Sequence, residues 1–158
     1  MQTLSIVIPV YNGALSIPLL VAQLHETLPH ISTAFEVILV EDDGRDNSWQ
    51  VIQDLAAHYP QVRGFKMMRN YGQHSALLCG VRAAQHELVI TMDDDLQHPP
   101  SEISRLLEKL AEGYDVVYGK PAQEKHNLFR RLASQVTRLV LKNAMGADTA
   151  RRISAFRA

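Results

Sequence analysis

The stretch that decides the fold is LVITMDDDLQHPP, Leu88 to Pro100, an apolar run that ends without a spacer in three aspartates. Five consecutive residues from Leu88 to Met92 without a polar side chain other than Thr91 suit a strand covered on both faces, as in a parallel sheet. Three more runs read the same way: Leu4 to Val10, Phe35 to Val40 and Asp115 to Tyr118, with a weaker one at Val62 to Met68. Between them helical spacing recurs over about Ala14 to Leu28, Ser48 to His58, His74 to Gln85 and Ser101 to Glu112. Strand and helix alternate, so the class is α/β. Asn47 or Ser48 is placed to cap the second helix, Pro99-Pro100-Ser101 opens the fourth, and Gly113 closes it.

Composition narrows the setting. The 158 residues, 46% hydrophobic and 21% charged, have the make-up of one globular domain, residues 1–158, with no repeat or linker. No run approaches the ~20 apolar residues that span a bilayer, and Met1 to Asn12 lacks the basic start of a secretory signal. The expected location is cytoplasmic. One cysteine, Cys79, excludes an intramolecular disulfide and a multi-cysteine zinc site. The net charge of −1 gives no reason to expect a nucleic-acid partner. Its distribution is uneven: residues 1–119 hold 7 Lys and Arg against 15 Asp and Glu, and residues 120–158 hold 9 against 2. Leu128, Leu132, Val136, Leu139 and Val140 recur at helical spacing with Arg131, Arg138 and Lys142 on another stripe, which predicts a basic amphipathic helix.

The acids fall where chemistry gathers in an open parallel sheet, at the carboxyl ends of its strands. Glu41-Asp42-Asp43-Gly44 follows the second strand and Asp93-Asp94-Asp95 the fourth. Carboxylates converging on one crevice repel one another unless a cation compensates. Asp93-x-Asp95-x-Gln97 offers oxygen alone, which suits Mg²⁺ or Mn²⁺ sharing its shell with a substrate diphosphate. An isolated Asp triplet is more often a solvated turn favouring a helix N-terminus. Its position directly after a buried strand argues for the site.

Four ordered motifs, SIVIPVYN (Ser5 to Asn12), EDDGRDNSW (Glu41 to Trp49), RNYGQHSALLCG (Arg69 to Gly80) and MDDDLQHPP (Met92 to Pro100), closely resemble the inverting glycosyltransferases of family 2. The DLQHPP form is similar to the polyprenyl-phosphate sugar transferases of the dolichyl-phosphate mannose synthase type. The resemblance implies a GT-A fold with a Rossmann-like, mostly parallel sheet flanked by helices. It implies a nucleotide-sugar donor, a divalent metal on its diphosphate, and transfer to polyprenyl phosphate at the inner face of the membrane, in cell-envelope glycan synthesis. Carried over by position, Asp93 and Asp95 are the Asp-x-Asp pair, with Asp95 and Gln97 on the metal and Asp93 near ribose or metal. Asp94 lies between them in the donor site. Pro9, Tyr11 and Asn12 pack around the nucleobase. Glu41 and Asp42 take the second motif's acidic positions, and Asp42 or Asp43 meets the base.

Asp43 stands where the family usually has Gly, so an unusual backbone angle is expected there, one that Asp tolerates better than most residues. Arg69 to Gly72 shapes the donor pocket. Lys120, Arg130 and Arg131 face the site from the acceptor side, with Arg131 catalytic and the other two on the substrate. Relatives of this type continue beyond the equivalent of Ala158, often into transmembrane helices, so the chain resembles an amino-terminal, donor-binding portion whose exposed apolar surface favours peripheral membrane contact or a homo-oligomer. His74, His98 and Trp49 read as surface or packing residues and Cys79 as core.

Three other functions fit parts of the pattern. A saccharide hydroxyl acceptor would want a carboxylate base, and residues 120–158 offer only Glu124 and Asp148. A receiver-type signalling domain would carry acids directly after the first strand, where Tyr11-Asn12 stand instead. A catalytically silent nucleotide-binding module would bind donor without turnover.

Overall fold

The structure, a computed structural model, describes residues 2–119. The chain runs β1 (Gln2–Val10), α1 (Ile17–Thr27), β2 (Ser32–Glu41), α2 (Ser48–His58), β3 (Val62–Lys66), α3 (Gln73–Ala83), β4 (Leu88–Thr91) and α4 (Ile103–Leu110), with 3₁₀ turns at Leu28–His30 and Pro100–Glu102. All pairings are parallel, in the order β3-β2-β1-β4. The chain builds outward from β1 to β3, then returns to the other side of β1 to lay down β4. Strand order therefore reverses beside β1.

Burial follows the two-residue period of a strand. Leu4, Ile6, Ile8 and Val10 of β1 with Val37 and Leu39 of β2 form one core with α1, α2 and α4, through Ile17, Leu20, Leu24, Ile52, Ile103 and Leu106. Val7, Ile38 and Val40 point the other way, onto Ala76 and Leu77 of α3. Cover on both faces explains why these strands read as unbroken apolar runs. The helix faces are full because each contributes only a few buried residues, spaced three and four apart.

Some local expectations differ. Ala14 to Ser16 form turns, so α1 starts at Ile17 with Pro18 in its first turn, where a missing N–H costs nothing. Asn47 holds the N-cap position of α2 without a side-chain capping bond, and Ser48 is the first helical residue. The cap comes from Asp46, whose Oδ1 accepts from Ser48 N at 3.0 Å. Asp115 to Tyr118, expected as a strand, contributes only an isolated bridge at Tyr118 among the described residues. Val116 and Tyr118 are 51% and 56% exposed, so this run lacks the two-sided cover that its apolarity anticipates. Gly113 does follow α4, at φ 99°, with its N–H on Leu110 O. No helix among the described residues is long and apolar enough to cross a membrane. The basic amphipathic helix expected beyond residue 120 lies outside them.

At the amino-terminal half of the sheet a buried polar network joins three elements. Glu36 of β2 accepts from Ser5 Oγ at 2.7 Å and Gln85 N at 2.7 Å through one oxygen, and from Arg63 Nη1 at 2.5 Å through the other. Ser5 Oγ in turn accepts from His86 N at 3.1 Å, and Arg63 also bonds Ala83 O. The end of α3 and the entry to β4 are thereby stitched to β1, β2 and β3. Burial alone would raise the Glu36 pKa, but the bonds from Ser5, Arg63 and Gln85 outweigh it and hold the carboxyl below its ordinary value. A carboxylate whose pKa is lowered on folding stabilises the fold above the unfolded value near 4.5 and loses that contribution as pH falls through the folded one. Glu36→Gln should therefore cost about 1–3 kcal/mol at pH 7. Urea unfolding should show the gap to the parent closing at pH 3.5.

Candidate functional site

Above the carboxyl ends of β1, β2 and β4 lies a cavity of about 400 Å³, lined by Pro9, Val10, Tyr11, Asp42, Asn70, Gly72, Gln73, Asp93, Asp94 and Asp95. It occupies the crevice at the reversal of strand order, where open α/β sheets bind ligands. Asp42 and Asp95, 53 residues apart in sequence, share it.

Each wall has a physical reason for its place. Asp42 leaves β2 with its N–H on Val10 O at 2.9 Å, which fixes it beside the end of β1. Its side chain is buried, and its two oxygens accept separately from Tyr71 N and Gly72 N, both at 2.8 Å. A two-pronged carboxylate on two successive amides is a charge-assisted clamp, and it pins the turn that leads into α3. Gly72, at φ 86° and ψ 157°, takes a backbone conformation that L side chains rarely adopt, and α3 begins at the next residue. From that first helical position Gln73 Nε2 donates to Asp93 Oδ1 at 2.5 Å.

The aspartate triplet is held unevenly. Asp95 is exposed, and its Oδ1 accepts from Gln97 N at 3.0 Å. Leu96 between them sits at φ 60°, a left-handed angle in the turn that carries these acids. Asp94 packs against Gly13, where a Cβ would collide with Asp94 Oδ2. That oxygen is buried without a hydrogen-bond partner. Burial, then the charge of Asp95 and, less strongly, of Asp93, push the Asp94 pKa up to about 6, against opposing backbone hydrogen bonds at Asp94 and Tyr11.

The loops after β1 and β2 are sewn together. Asn12, at φ 56°, accepts from Arg45 N at 2.7 Å through Oδ1. Asp46 accepts from Ala14 N at 3.0 Å, and Ser48 Oγ from Gly13 N at 2.9 Å. Asp43 adopts the left-handed angle anticipated for it, φ 53°. Gly44 serves a different need, since a Cβ there would lie 2.9 Å from both the backbone N and Oδ1 of Asn12. Glu41 is buried beneath this turn, with Oε1 accepting from Gly44 N at 2.5 Å and Oε2 buried without a partner.

Of the residues expected at the site, Pro9, Tyr11, Asp42, Gly72, Asp93, Asp94 and Asp95 line the cavity. Asn12, Glu41, Asp43, Arg69 and Gln97 do not line it. Asn12 and Glu41 brace the turns, Asp43 is exposed, and Arg69 stacks on the Tyr71 ring with its guanidinium carbon 4.7 Å from the centroid. Lys120, Arg130 and Arg131 lie outside the described residues. Asn70, within the Arg69 to Gly72 run expected to shape the pocket, lines the cavity, as do Val10 and Gln73, which were not singled out individually from sequence. Position within the SIVIPVYN and RNYGQ motifs was the available signal for these two.

The donor set was tested for a divalent cation. Among the described residues no three His, Cys, Asp or Glu side chains converge as a preformed cage. Asp93 and Asp95 present carboxylate oxygens to the cavity, with Gln97 just outside it, beside the Asp94 carboxyl, whose pKa is pushed up by burial and then by the neighbouring acids. That combination fits a hard ion completing its shell with water and a bound phosphate.

Comparison with known proteins points the same way. Residues 5–157 match the family model for glycosyl transferase family 2. The chain is 40% identical over 146 residues to an undecaprenyl-phosphate 4-deoxy-4-formamido-L-arabinose transferase of Aeromonas hydrophila, covering 92% of this chain and 45% of that protein. A Pseudomonas aeruginosa protein of the same name is 41% identical over 143 residues, covering 90% and 42%. The chain thus spans just under half the length of these curated relatives. Among solved structures, a mannosyltransferase from Pyrobaculum calidifontis, in complex with GDP-Man and Mn²⁺, superposes with a TM-score of 0.64 at 20% identity, over 74% of this chain and 35% of that one. Staphylococcus aureus TarS residues 1–349 with UDP-GlcNAc gives 0.58 at 20% identity, over 80% and 37%. These two likenesses establish a shared GT-A fold.

The Asp42 clamp gives a local expectation. Asp42→Ala removes the acceptor of two part-buried amides and should cost about 1–3 kcal/mol, with hydrogen exchange at Tyr71 and Gly72 accelerating more than elsewhere. Gly13→Ala should cost about 1–3 kcal/mol by driving Asp94 from its seat, read as a lowered melting temperature.

Proposed function

We propose, because the chain belongs to glycosyl transferase family 2, that it binds a nucleotide-diphosphate sugar and supports transfer of the sugar to undecaprenyl or a related polyprenyl phosphate. The observation that carries this reading is the convergence of Asp42 and the Asp93–Asp95 triplet on one cavity at the carboxyl edge of the sheet. The names of the Aeromonas and Pseudomonas relatives support the acceptor class. The reaction would take place at the cytoplasmic face of the membrane, in cell-envelope glycan synthesis.

In the proposed reaction an oxygen of the acceptor phosphate forms a bond to the anomeric carbon, the bond from that carbon to the donor diphosphate breaks, and the nucleoside diphosphate leaves with its electron pair. A single displacement of this kind inverts the anomeric centre. The phosphate nucleophile is already ionised, so no strong base is required of the protein. Instead the chain must orient the donor and bring two anions together. Pro9, Val10 and Tyr11 wall the nucleoside side, Asp42 holds the Asn70–Gln73 turn in place, and Asp93 and Asp95 present oxygens toward the diphosphate. Mg²⁺ or Mn²⁺, held by Asp93, Asp95 and Gln97, would neutralise charge building on the leaving group. Arg131, with Lys120 and Arg130, is proposed to attract the acceptor phosphate.

Calorimetric titration with UDP-, GDP- and dTDP-sugars, with and without Mn²⁺, tests the reading. One of them should bind, and Mn²⁺ should tighten it. Asp95→Ala should remove at least about tenfold of the metal-dependent affinity while the melting temperature holds. A folded parent that binds none of the three, or an Asp95→Ala variant with full affinity, would overturn it.

A further inference from the structure

Asp42 follows β2 and Asp93 follows β4, with β1 between these strands in the sheet. No bond between the two carboxylates is needed to couple them, because the start of α3 reaches across. The two amides clamped by Asp42 belong to Tyr71 and Gly72, the residues immediately before α3. Gln73 follows as the first helical residue, and its carboxamide donates to Asp93 Oδ1 at 2.5 Å. A clamped turn thus feeds a helix whose first side chain holds an acid on the opposite wall of the cavity. Both ends of this brace, and Gln73 itself, line that cavity.

We infer that Gln73 is a positioning residue for the donor site: its Nε2–H fixes the plane of the Asp93 carboxylate, so that the acid is set for a metal-bound diphosphate before the ligand arrives. The inference rests on the proposed nucleotide-sugar site and adds to it a residue that contacts neither sugar nor base. The chemistry asks for such a residue. Adjacent acids repel one another, and a carboxylate ready to bind must be held in place against that repulsion beforehand. A neutral amide donor restrains it while leaving its negative charge intact. A lysine at this point would cancel part of the charge on which the cation depends. The side chain of α3's second residue, His74, is exposed, and no bond from it to the triplet competes with Gln73.

The first test needs no ligand. In the ¹⁵N-labelled parent, the Gln73 side-chain amide protons should be resolved and one of them shifted downfield, and Asp93→Asn should return that resonance to the position of an unrestrained glutamine. The second uses Mn²⁺ titrated at a fixed concentration of the nucleotide-sugar that the parent binds. Gln73→Ala should weaken the apparent Mn²⁺ affinity by about tenfold. Gln73→Met, of similar length and neutral but without the donor, should weaken it by a similar factor. Both variants should melt within a few degrees of the parent. An unshifted Gln73 amide in the parent, or Gln73→Met binding Mn²⁺ and donor as the parent does, would overturn the inference. A parent that shows the shifted amide and binds no nucleotide-sugar would instead sink the donor-site reading on which the functional role of Gln73 rests.

Discussion

Parallel pairing of β1 between β2 and β4 is the constraint on which everything else depends. Parallel neighbours end on the same edge: Val10 pairs with Glu41, and Thr91 ends beside Val7, three residues earlier on β1, although the strands are far apart in sequence. Each strand must then leave the sheet through a loop on that edge. Apolar cover on both faces keeps polar groups out of the sheet interior, apart from those satisfied by the Glu36 network. Polar chemistry is therefore pushed to the edge, and the reversal of strand order beside β1 opens the gap into which it collects.

The loops around the gap are tied together by hydrogen bonds from backbone amides to side chains. Asp42 closes on Tyr71 and Gly72, Asn12 on Arg45, Asp46 on Ala14 and Ser48 on Gly13. Each bond ties a loop after one strand to a loop or helix start belonging to another. The cost of the arrangement is electrostatic, and it shows at Asp94, whose carboxyl sits against Gly13 with one oxygen unpartnered. A site that stores unfavourable charge of this kind is primed for a cation and an anion to arrive together, because each makes the other's binding easier.

Much of this was legible in the sequence, and the parts that were not share a cause. The runs Leu4 to Val10, Phe35 to Val40 and Leu88 to Met92 announce buried strands because two-sided burial demands near-continuous apolarity. Val62 to Met68 is weaker because, among the described residues, β3 pairs with β2 alone, leaving Lys66 exposed and Arg63 at the edge of the Glu36 network. Asp115 to Tyr118 carries the same apolar pattern but does not become a strand among the described residues, since composition records a preference for cover and says nothing of a partner to pair with. The acids after the strands were recognisable for the same reason the strands were. Their individual duties were not. That Glu41 turns under Gly44 while Asp42 faces the cavity depends on which way a left-handed residue, Asp43, swings the chain. Gln73 became visible only once α3 was packed on β1 and β2, because its reach to Asp93 spans 20 positions in sequence but a single hydrogen bond in space.

Glu36 lies on β2 six residues before Asp42, which follows that strand, or roughly 20 Å at the rise of extended chain. The network it anchors gathers β1, β2, β3 and the α3–β4 connection at the pole of the sheet remote from the acids. Cohesion and chemistry are thus vested in opposite poles of one short β-layer. The loops at one pole can therefore change without loosening the knot at the other, which preserves the platform beneath them.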